Sequence, residues 1–165
     1  MSEPIEVGPY PVTPVDAAAE AVLVVSRLLV GVAAQSLAVT EAHITLAQYR
    51  ALVVLGSTGP QNLGAFADAL GVHPSTLTRL CDRLVAKGLI ERNVSAESRR
   101  ETTVTLSASG RALVRAETER RRAAVREIVE HLDVATQRRV ASAFTALADA
   151  ADQGQFHAWR LGWTA

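Results

Sequence analysis

The sequence predicts a mainly α-helical fold that carries one small β-hairpin. Two observations indicate this fold class. Apolar residues recur every three or four positions through most of the chain, and the one β-type alternation, within residues 89–106, is divided by a polar loop. The chain has 165 residues, of which 48% are hydrophobic and 21% are charged, so it is large enough for one globular domain with its own core.

The first 40 residues contain a polar arm and a long apolar helix. Residues 1–14 hold four prolines and no Lys or Arg, which predicts a flexible arm rather than a secretory signal. Residues 15–40 have helical apolar spacing, and residues 17–39 within them are the only stretch that suggests a membrane span. Glu20, Arg27 and Gln35 within this stretch favour a buried or interfacial helix. We therefore expect a cytoplasmic protein with no membrane segment.

Capping residues divide the next part of the chain into three shorter helices. Thr45 and Asn62 are typical N-cap residues, and Gly71 is a typical stop signal for a short third helix. Pro74 suits the first turn of a fourth helix, which we expect to end before Gly88. A short helix, a turn with glycine and a second helix together make a helix-turn-helix unit.

A predicted hairpin follows this unit directly. Residues 89–94 and 102–106 are two short β-type runs on either side of a polar loop. The hairpin makes the unit over residues 45–106 a winged helix-turn-helix. Arg99 and Arg100 lie in the hairpin loop, where guanidinium groups can enter a DNA minor groove. The alternative for this Arg pair is a loop that only improves solubility.

Two more helices complete the chain. Ser107 and Asp133 are N-cap candidates for a long fifth helix and a sixth helix. The chain is thus expected to form a single unit over residues 15–165, in which residues 15–40 and 107–165 are dimerisation helices. The predicted dimer interface includes Val22, Leu29, Val140, Phe144 and Leu147. Three C-terminal aromatic residues are expected to anchor the dimer or the chain itself: Phe156, Trp159 and Trp163.

Positive charge is concentrated in the middle of a neutral protein. The 17 Lys and Arg residues balance 17 Asp and Glu residues, but residues 73–126 hold twelve basic and only six acidic residues. A local basic patch of this kind suggests a polyanionic partner such as nucleic acid. A solvated helix face is the alternative.

The predicted fourth helix has one apolar and one polar side. The apolar side is expected to pack in the core and contains Leu77, Leu80, Cys81, Leu84 and Val85. The polar side begins with short hydroxyl side chains and continues with arginines, which suits a helix that reads a DNA groove. An ordinary exposed helix face is the alternative, but the neighbouring hairpin favours DNA. The candidate DNA-binding residues are Asn62, His73, Pro74, Ser75, Thr76, Thr78, Arg79, Arg83, Arg99 and Arg100.

The ordered set of motifs resembles the MarR family of winged-helix regulators. The resemblance runs over about residues 20–150, and its motifs are residues 66–72, 75–84, 87–92, Arg99-Arg100 and 104–113. It implies a two-fold dimer built from the first, fifth and sixth helices. It also implies that the fourth helix lies in the major groove and the wing in the minor groove. In many relatives a small molecule or an oxidant weakens DNA binding.

Three positions depart from the family pattern. Ser95 and Ser98 stand where the family commonly has wing aspartates, which puts the rigidity of the wing in doubt. His73 stands where the family often has Ser or Thr as the N-cap of the fourth helix. A histidine there can contact phosphate, or it can simply be a poor cap.

Cys81 lies on the apolar side of the reading helix, so we expect a buried, inert thiol rather than an oxidant sensor. The four histidines are far apart in sequence, and we expect no metal site and no cofactor. No enzyme motif is present, so we do not expect an enzyme.

His43, Tyr49 and Arg50 are the residues that we expect near an effector pocket. Arg50 can pair with a carboxylate ligand, but a role as an ordinary surface arginine is an alternative.

The sequence thus predicts a sequence-specific, DNA-binding transcription regulator. We expect a homodimeric repressor of a pseudo-palindromic operator, relieved by a small organic effector. Its expected partners are double-stranded DNA and a second copy of the chain. The alternative is a winged-helix module that binds protein and does not bind DNA.

Overall fold

The computed structural model of the protein describes residues 13–40, 42–94 and 102–152. These ranges contain six helices and three short strands, which confirms the mainly α-helical fold with a small wing. In chain order the elements are α1 (Pro14–Ala38), α2 (Leu46–Thr58), β1 (Gln61–Asn62), α3 (Leu63–Leu70), α4 (Pro74–Ala86), β2 (Ile90–Val94), β3 (Thr102–Leu106), α5 (Ala108–Glu130) and α6 (Val134–Asp152).

The helices begin where short polar side chains cap them. The Thr45 hydroxyl oxygen accepts a hydrogen bond from the backbone N–H of Gln48 (3.2 Å), and the backbone N–H of Thr45 donates in turn to the side-chain oxygen of Gln48 (2.9 Å). Asp133 caps α6 through the N–H of Thr136 (2.9 Å). Helix α1 starts one residue earlier than predicted, because Thr13 forms a second capping box.

The wing belongs to a three-stranded antiparallel sheet with strand order β1-β3-β2. Strand β3 pairs with β2 in the register Ile90↔Leu106 and Arg92↔Val104. Strand β1 pairs with the other edge of β3. The sequence predicted only the hairpin, because a two-residue strand is too short to show a period.

The core is centred on α2. Five consecutive residues, Ala51–Leu55, are buried, because α3, α5 and β3 pack around the helix. From α4, Leu77, Cys81 and Leu84 enter this core, as the apolar side predicted. Val85 does not: it is 40% exposed, so its place in the predicted core was wrong. It lies at the edge of the apolar side of α4.

The start of α5 is locked against the link between α4 and β2. The Ser107 hydroxyl donates to the carbonyl of Gly88 (2.6 Å) and accepts from the N–H of Gly110 (2.9 Å). A Cβ atom on Gly110 would lie 2.0 Å from the carbonyl oxygen of Leu89. Only glycine permits this approach.

Helix α1 leaves most of its apolar surface uncovered in the single chain. Within the described residues it is the one helix long and apolar enough to cross a membrane: its most apolar window has a mean hydropathy of 1.9 and is 0% buried. Only Ser36 and Leu37, near its end, are buried. This end packs against α5.

An apolar groove of about 470 Å³ lies between α1 and α6, lined by small and large apolar side chains. Four residues of the predicted dimer interface, Val22, Leu29, Phe144 and Leu147, are between 37% and 44% exposed. Val140, the fifth, is half-buried. Phe156, Trp159 and Trp163 lie outside the described residues.

Candidate nucleic-acid interface

The turn before α4 is closed by glycine and histidine. Gly71 adopts a left-handed conformation (φ 64°) that ends α3 and redirects the chain. His73 then caps α4: its Nδ1 accepts from the N–H of Ser75 (3.3 Å) and lies 2.9 Å from the Ser75 hydroxyl oxygen. His73 therefore does cap the helix. With Nδ1 as the acceptor, a neutral ring carries its proton on Nε2, where it is a hydrogen-bond donor.

Helix α4 turns its polar side to solvent. The exposed residues of this side are Ser75, Thr76, Thr78, Arg79, Asp82 and Arg83. The side chain of Thr78 donates back to the carbonyl of Pro74 (3.0 Å), so its methyl group and not its hydroxyl points outward along the helix. Arg79 and Arg83 form no ion pair with any residue that the structure describes. Both guanidinium groups are thus available to an external anion.

Asn62 lies at the first turn of α3, beside the wing. Its side-chain oxygen accepts from the N–H of Ala65 (2.8 Å), which leaves its NH₂ group as a free donor in the described surroundings. Strands β2 and β3 carry the wing loop between Val94 and Thr102. Arg99 and Arg100, the two predicted wing residues, lie outside the described residues.

Arg92 is a residue of this interface that sequence reasoning missed. Its guanidinium lies 2.8 Å from the carboxylate of Asp82 and 3.4 Å from the carbonyl oxygen of Thr78, both on α4. The two-residue period of the strand could have identified Arg92 from the sequence. Arg92 follows buried Ile90 by two residues, which places both side chains on the same face of the strand.

Cys81 is fully buried in the core next to this interface. Burial raises the pKa of its thiol, and the nearby Arg92 guanidinium lowers it only in part. A buried thiol with a raised pKa holds little thiolate and reacts slowly. This agrees with the prediction that Cys81 is a core residue.

Ser36, Tyr49, Glu117 and Arg121 form a polar junction between α1, α2 and α5. Arg121 of α5 lies over the ring of Tyr49, with its guanidinium carbon 4.2 Å from the ring centre. The same side chain donates from Nε to the hydroxyl of Ser36 on α1 (3.2 Å). Tyr49 is buried, and its hydroxyl has no hydrogen-bond partner among the described residues.

Glu117 is the fully buried acid of the polar junction. One of its oxygens accepts from Thr40 and from Arg120, and the other has no partner among the described residues. Burial alone raises the pKa of this carboxyl. The hydrogen bonds from Arg120 and Thr40, together with the nearby Ser36 hydroxyl and the charge of Arg120, outweigh it, so the pKa of Glu117 lies below its ordinary value.

The structure separates the three predicted effector residues. Tyr49 lies in the polar junction, and Arg50 next to it on α2 is half-buried with an unpartnered Nε among the described residues. His43 is exposed in the loop before α2, at a positive φ of 43°. The carbonyl oxygens of Ala42 and His43 accept from Lys87 at the end of α4 (2.7 and 3.1 Å).

The described residues contain no cluster of three His, Cys, Asp or Glu side chains that is able to hold a metal ion. The polar groups of the interface are mainly hydroxyls and guanidiniums, with the Asn62 amide, the His73 ring and the Asp82 carboxylate beside them. The hydroxyls and guanidiniums bind anions and hydrogen-bond to base edges.

Comparison with known proteins places these features in context. A sequence profile described as the MarR family matches residues 44–102. The crystal structure of RV1404 from Mycobacterium tuberculosis is 40% identical to the chain, with a TM-score of 0.77 and coverage of 87% of this chain and 98% of that one. No curated protein matches.

Two less similar structures share the fold. A MarR family protein from Bacillus stearothermophilus has 19% identity, a TM-score of 0.73 and coverage of 82% of this chain and 94% of that one. FabT from Streptococcus pneumoniae, solved in complex with DNA, has 21% identity, a TM-score of 0.64 and coverage of 81% and 94%.

Proposed function

The chain belongs to the MarR family of winged-helix transcription regulators, which are DNA-binding proteins and not enzymes, and we propose that it is a homodimeric repressor. In this proposal it binds a pseudo-palindromic operator in the cytoplasm, and a small organic ligand relieves repression. The observation that carries the proposal is the solvent-facing side of α4, with short hydroxyls followed by two arginines without ion-pair partners among the described residues.

The arrangement of α4 supports base reading in the major groove. Ser75 and Thr76 are short, so the first turn of the helix can approach base edges closely. Arg79, one turn later, has the length and the fork of donors to bond guanine O6 and N7. His73 at the N-cap and Asn62 at the start of α3 are proposed phosphate contacts, which set position rather than sequence. Arg99 and Arg100 are proposed to enter the minor groove.

The uncovered apolar surface supports the dimer. The groove between α1 and α6 has an almost wholly apolar lining, and apolar side chains on both helices stand in solvent in the single chain. Monomeric proteins rarely expose apolar surface of this extent. A second copy that covers both helices removes it from water and places two copies of α4 about one DNA turn apart.

The polar junction supports a ligand-controlled step. Tyr49, Arg50, Glu117 and Arg121 each hold a buried polar atom without a partner among the described residues. Buried polar atoms normally have partners, so the atoms of Tyr49, Glu117 and Arg121 favour water or a polar ligand at the junction. A ligand that binds differently to two arrangements of α1 and α5 shifts DNA affinity, and a tenfold shift requires about 1.4 kcal/mol of coupling.

Selection from a random duplex library, followed by titration of the selected duplex and a shuffled duplex, tests the proposal. We expect the selected DNA to contain an inverted repeat and to bind at least about 1,000-fold more tightly than shuffled DNA at physiological salt. Light scattering under the same conditions should give the mass of two chains. Equal affinity for both duplexes, or no binding, would favour the protein-interaction module instead.

A further inference from the structure

The Arg92–Asp82 ion pair links the base of the wing to the middle of the reading helix. Arg92 stands on β2, two residues before the strand reaches Val94 and the wing loop. Its guanidinium bridges two points of α4 one turn apart, the carboxylate of Asp82 and the carbonyl oxygen of Thr78. A guanidinium with two acceptors on one helix fixes direction as well as distance.

Asp82 is an unexpected residue on a surface that meets DNA. It lies on the same side of α4 as Ser75 and Arg79, seven and three residues earlier, and it is exposed. An isolated carboxylate there repels phosphates. Its ion pair with Arg92, at 2.8 Å, compensates that negative charge. The ion pair therefore suggests why an acid stands at this exposed position.

The exposure of the pair argues against a role in folding. The side chains of Arg92 and Asp82 are 32% and 55% exposed, and ion pairs at such sites contribute little to the stability of a folded chain. The core beneath them is already held by Leu77, Cys81, Leu84 and Ile90. The pair joins the middle of α4 to the strand that leads into the wing.

We propose that Arg92 and Asp82 are positioning residues for operator recognition, acting as a brace that holds the wing at the angle at which α4 and the wing enter adjacent grooves together. This inference rests on the proposed DNA-binding function. It assigns Arg92 no base contact of its own. Its contribution passes through Asp82 and Thr78 to the orientation of the wing.

The variant Asp82→Asn distinguishes the proposed brace from a purely electrostatic effect of Asp82 on DNA affinity. Removal of a negative charge beside DNA, together with release of Arg92, tightens DNA binding if charge alone matters. The brace requires the opposite sign. We expect Asp82→Asn and Arg92→Ala each to weaken operator binding about 10-fold or more, with little change for shuffled DNA. The control Glu91→Gln removes an exposed acid from the neighbouring strand position, and we expect less than a 3-fold change.

Footprinting gives a second readout. Dimethyl sulfate reports guanine N7 in the major groove, and hydroxyl radicals report sugars along the minor groove. In the Asp82→Asn complex we expect α4 to protect N7 as in the wild type, while minor-groove protection at the wing is reduced. Tighter or unchanged operator binding by Asp82→Asn, or unchanged protection of both grooves, overturns the brace.

Failure of the proposed function has a different signature. If the wild-type protein itself shows no preference for any duplex, the DNA-binding function fails. The brace is then judged by amide hydrogen exchange in the free protein. Faster exchange at residues 92–94 in Asp82→Asn but not in Glu91→Gln supports it, and equal exchange in both overturns it.

Discussion

The guanidinium carbon of Arg121 lies over the ring of Tyr49, 4.2 Å from the ring centre, which is within the range of a cation–π contact. The contact joins α5, an expected dimerisation helix, to α2 at the centre of the reading unit. Movement of one helix relative to the other must break or stretch this contact. It therefore connects a proposed dimerisation helix directly to the winged unit.

The first prediction separates the ring of Tyr49 from its hydroxyl. Since the buried hydroxyl has no partner among the described residues, Tyr49→Phe should change the free energy of unfolding by no more than about 0.5 kcal/mol. Tyr49→Leu removes the aromatic ring beneath Arg121 and should lower the free energy of unfolding by about 1–2 kcal/mol more. Urea denaturation of both variants measures the difference. A large loss in Tyr49→Phe would show that the hydroxyl is hydrogen-bonded after all.

The second prediction concerns Glu117 and pH. Its folded-state pKa lies below the ordinary value of 4.5, so its stabilising contribution is complete above that pH and is lost as the pH falls through the folded-state pKa. At pH 7 we expect Glu117→Gln to lower the free energy of unfolding by about 1–3 kcal/mol.

The loss in free energy of unfolding that Glu117→Gln causes should become smaller as the pH is lowered from 6 to 3. Asp16 and Asp133 also have lowered pKa values, but both carboxyls are present in both proteins and cancel in the comparison. Thermal or urea unfolding at several pH values gives the difference curve. A deficit that stays constant down to pH 3 would contradict the assigned ionised state.

The third prediction divides the labour between α4 and the wing. Arg79→Ala should lose sequence preference at one base pair per half-site and cost about 1–3 kcal/mol there. Arg99→Ala should weaken binding to many DNA sequences alike, and it should lower the salt dependence of binding by about one phosphate contact or less. Arg138→Ala on exposed α6 is the matched control. If Arg79→Ala and Arg99→Ala weaken selected and random duplexes equally, the assignment is wrong.

The fourth prediction concerns assembly. We expect a dimer that buries more than about 2,000 Å² in total. Phe144→Glu places a charge in the α1–α6 groove and should raise the dimer dissociation constant at least about 100-fold. Val39→Glu, at the exposed end of α1, is the control and should leave the dimer intact. A folded wild-type monomer at micromolar concentration, seen by light scattering, would count against the dimer.

The fifth prediction concerns the thiol. Because burial raises the pKa of Cys81, the native protein should react with a thiol reagent far more slowly than the unfolded chain. Peroxide should leave operator affinity unchanged, and Cys81→Ser should retain any ligand response. Release of the operator by peroxide, blocked in Cys81→Ser, would make Cys81 the sensor.

Elements with a long period or a strong cap could be predicted from the sequence. Helix α4 shows why: Pro74 at its start, Gly88 after its end and the burial of every third or fourth residue are all local signals. The solvent-facing side that carries Arg79 follows from the same phase. Strand β1 could not be predicted, because its two residues pair only with distant β3.

The polar junction was beyond sequence reasoning for a similar reason. Ser36, Tyr49 and Arg121 come from three helices and meet only after the chain has folded. The three consecutive arginines at residues 120–122 were expected to point in different directions, but the sequence did not show which groups each would meet. In the structure Arg120 pairs with buried Glu117 and Arg122 pairs with exposed Glu119.

The contact at Gly110 determines where the protein can bend. With no Cβ between them, α5 sits directly on the backbone of Leu89, and Ser107 bonds across the same point to Gly88. A joint made of backbone against backbone has no side chain to rotate and no gap to close, so rotation of α5 carries the hairpin with it. If the proposed dimer moves relative to the winged unit, we therefore expect the bend away from the start of α5. The loop between α1 and α2 is the other connection, and there the Lys87 side chain ties the end of α4 to the backbone of Ala42 and His43.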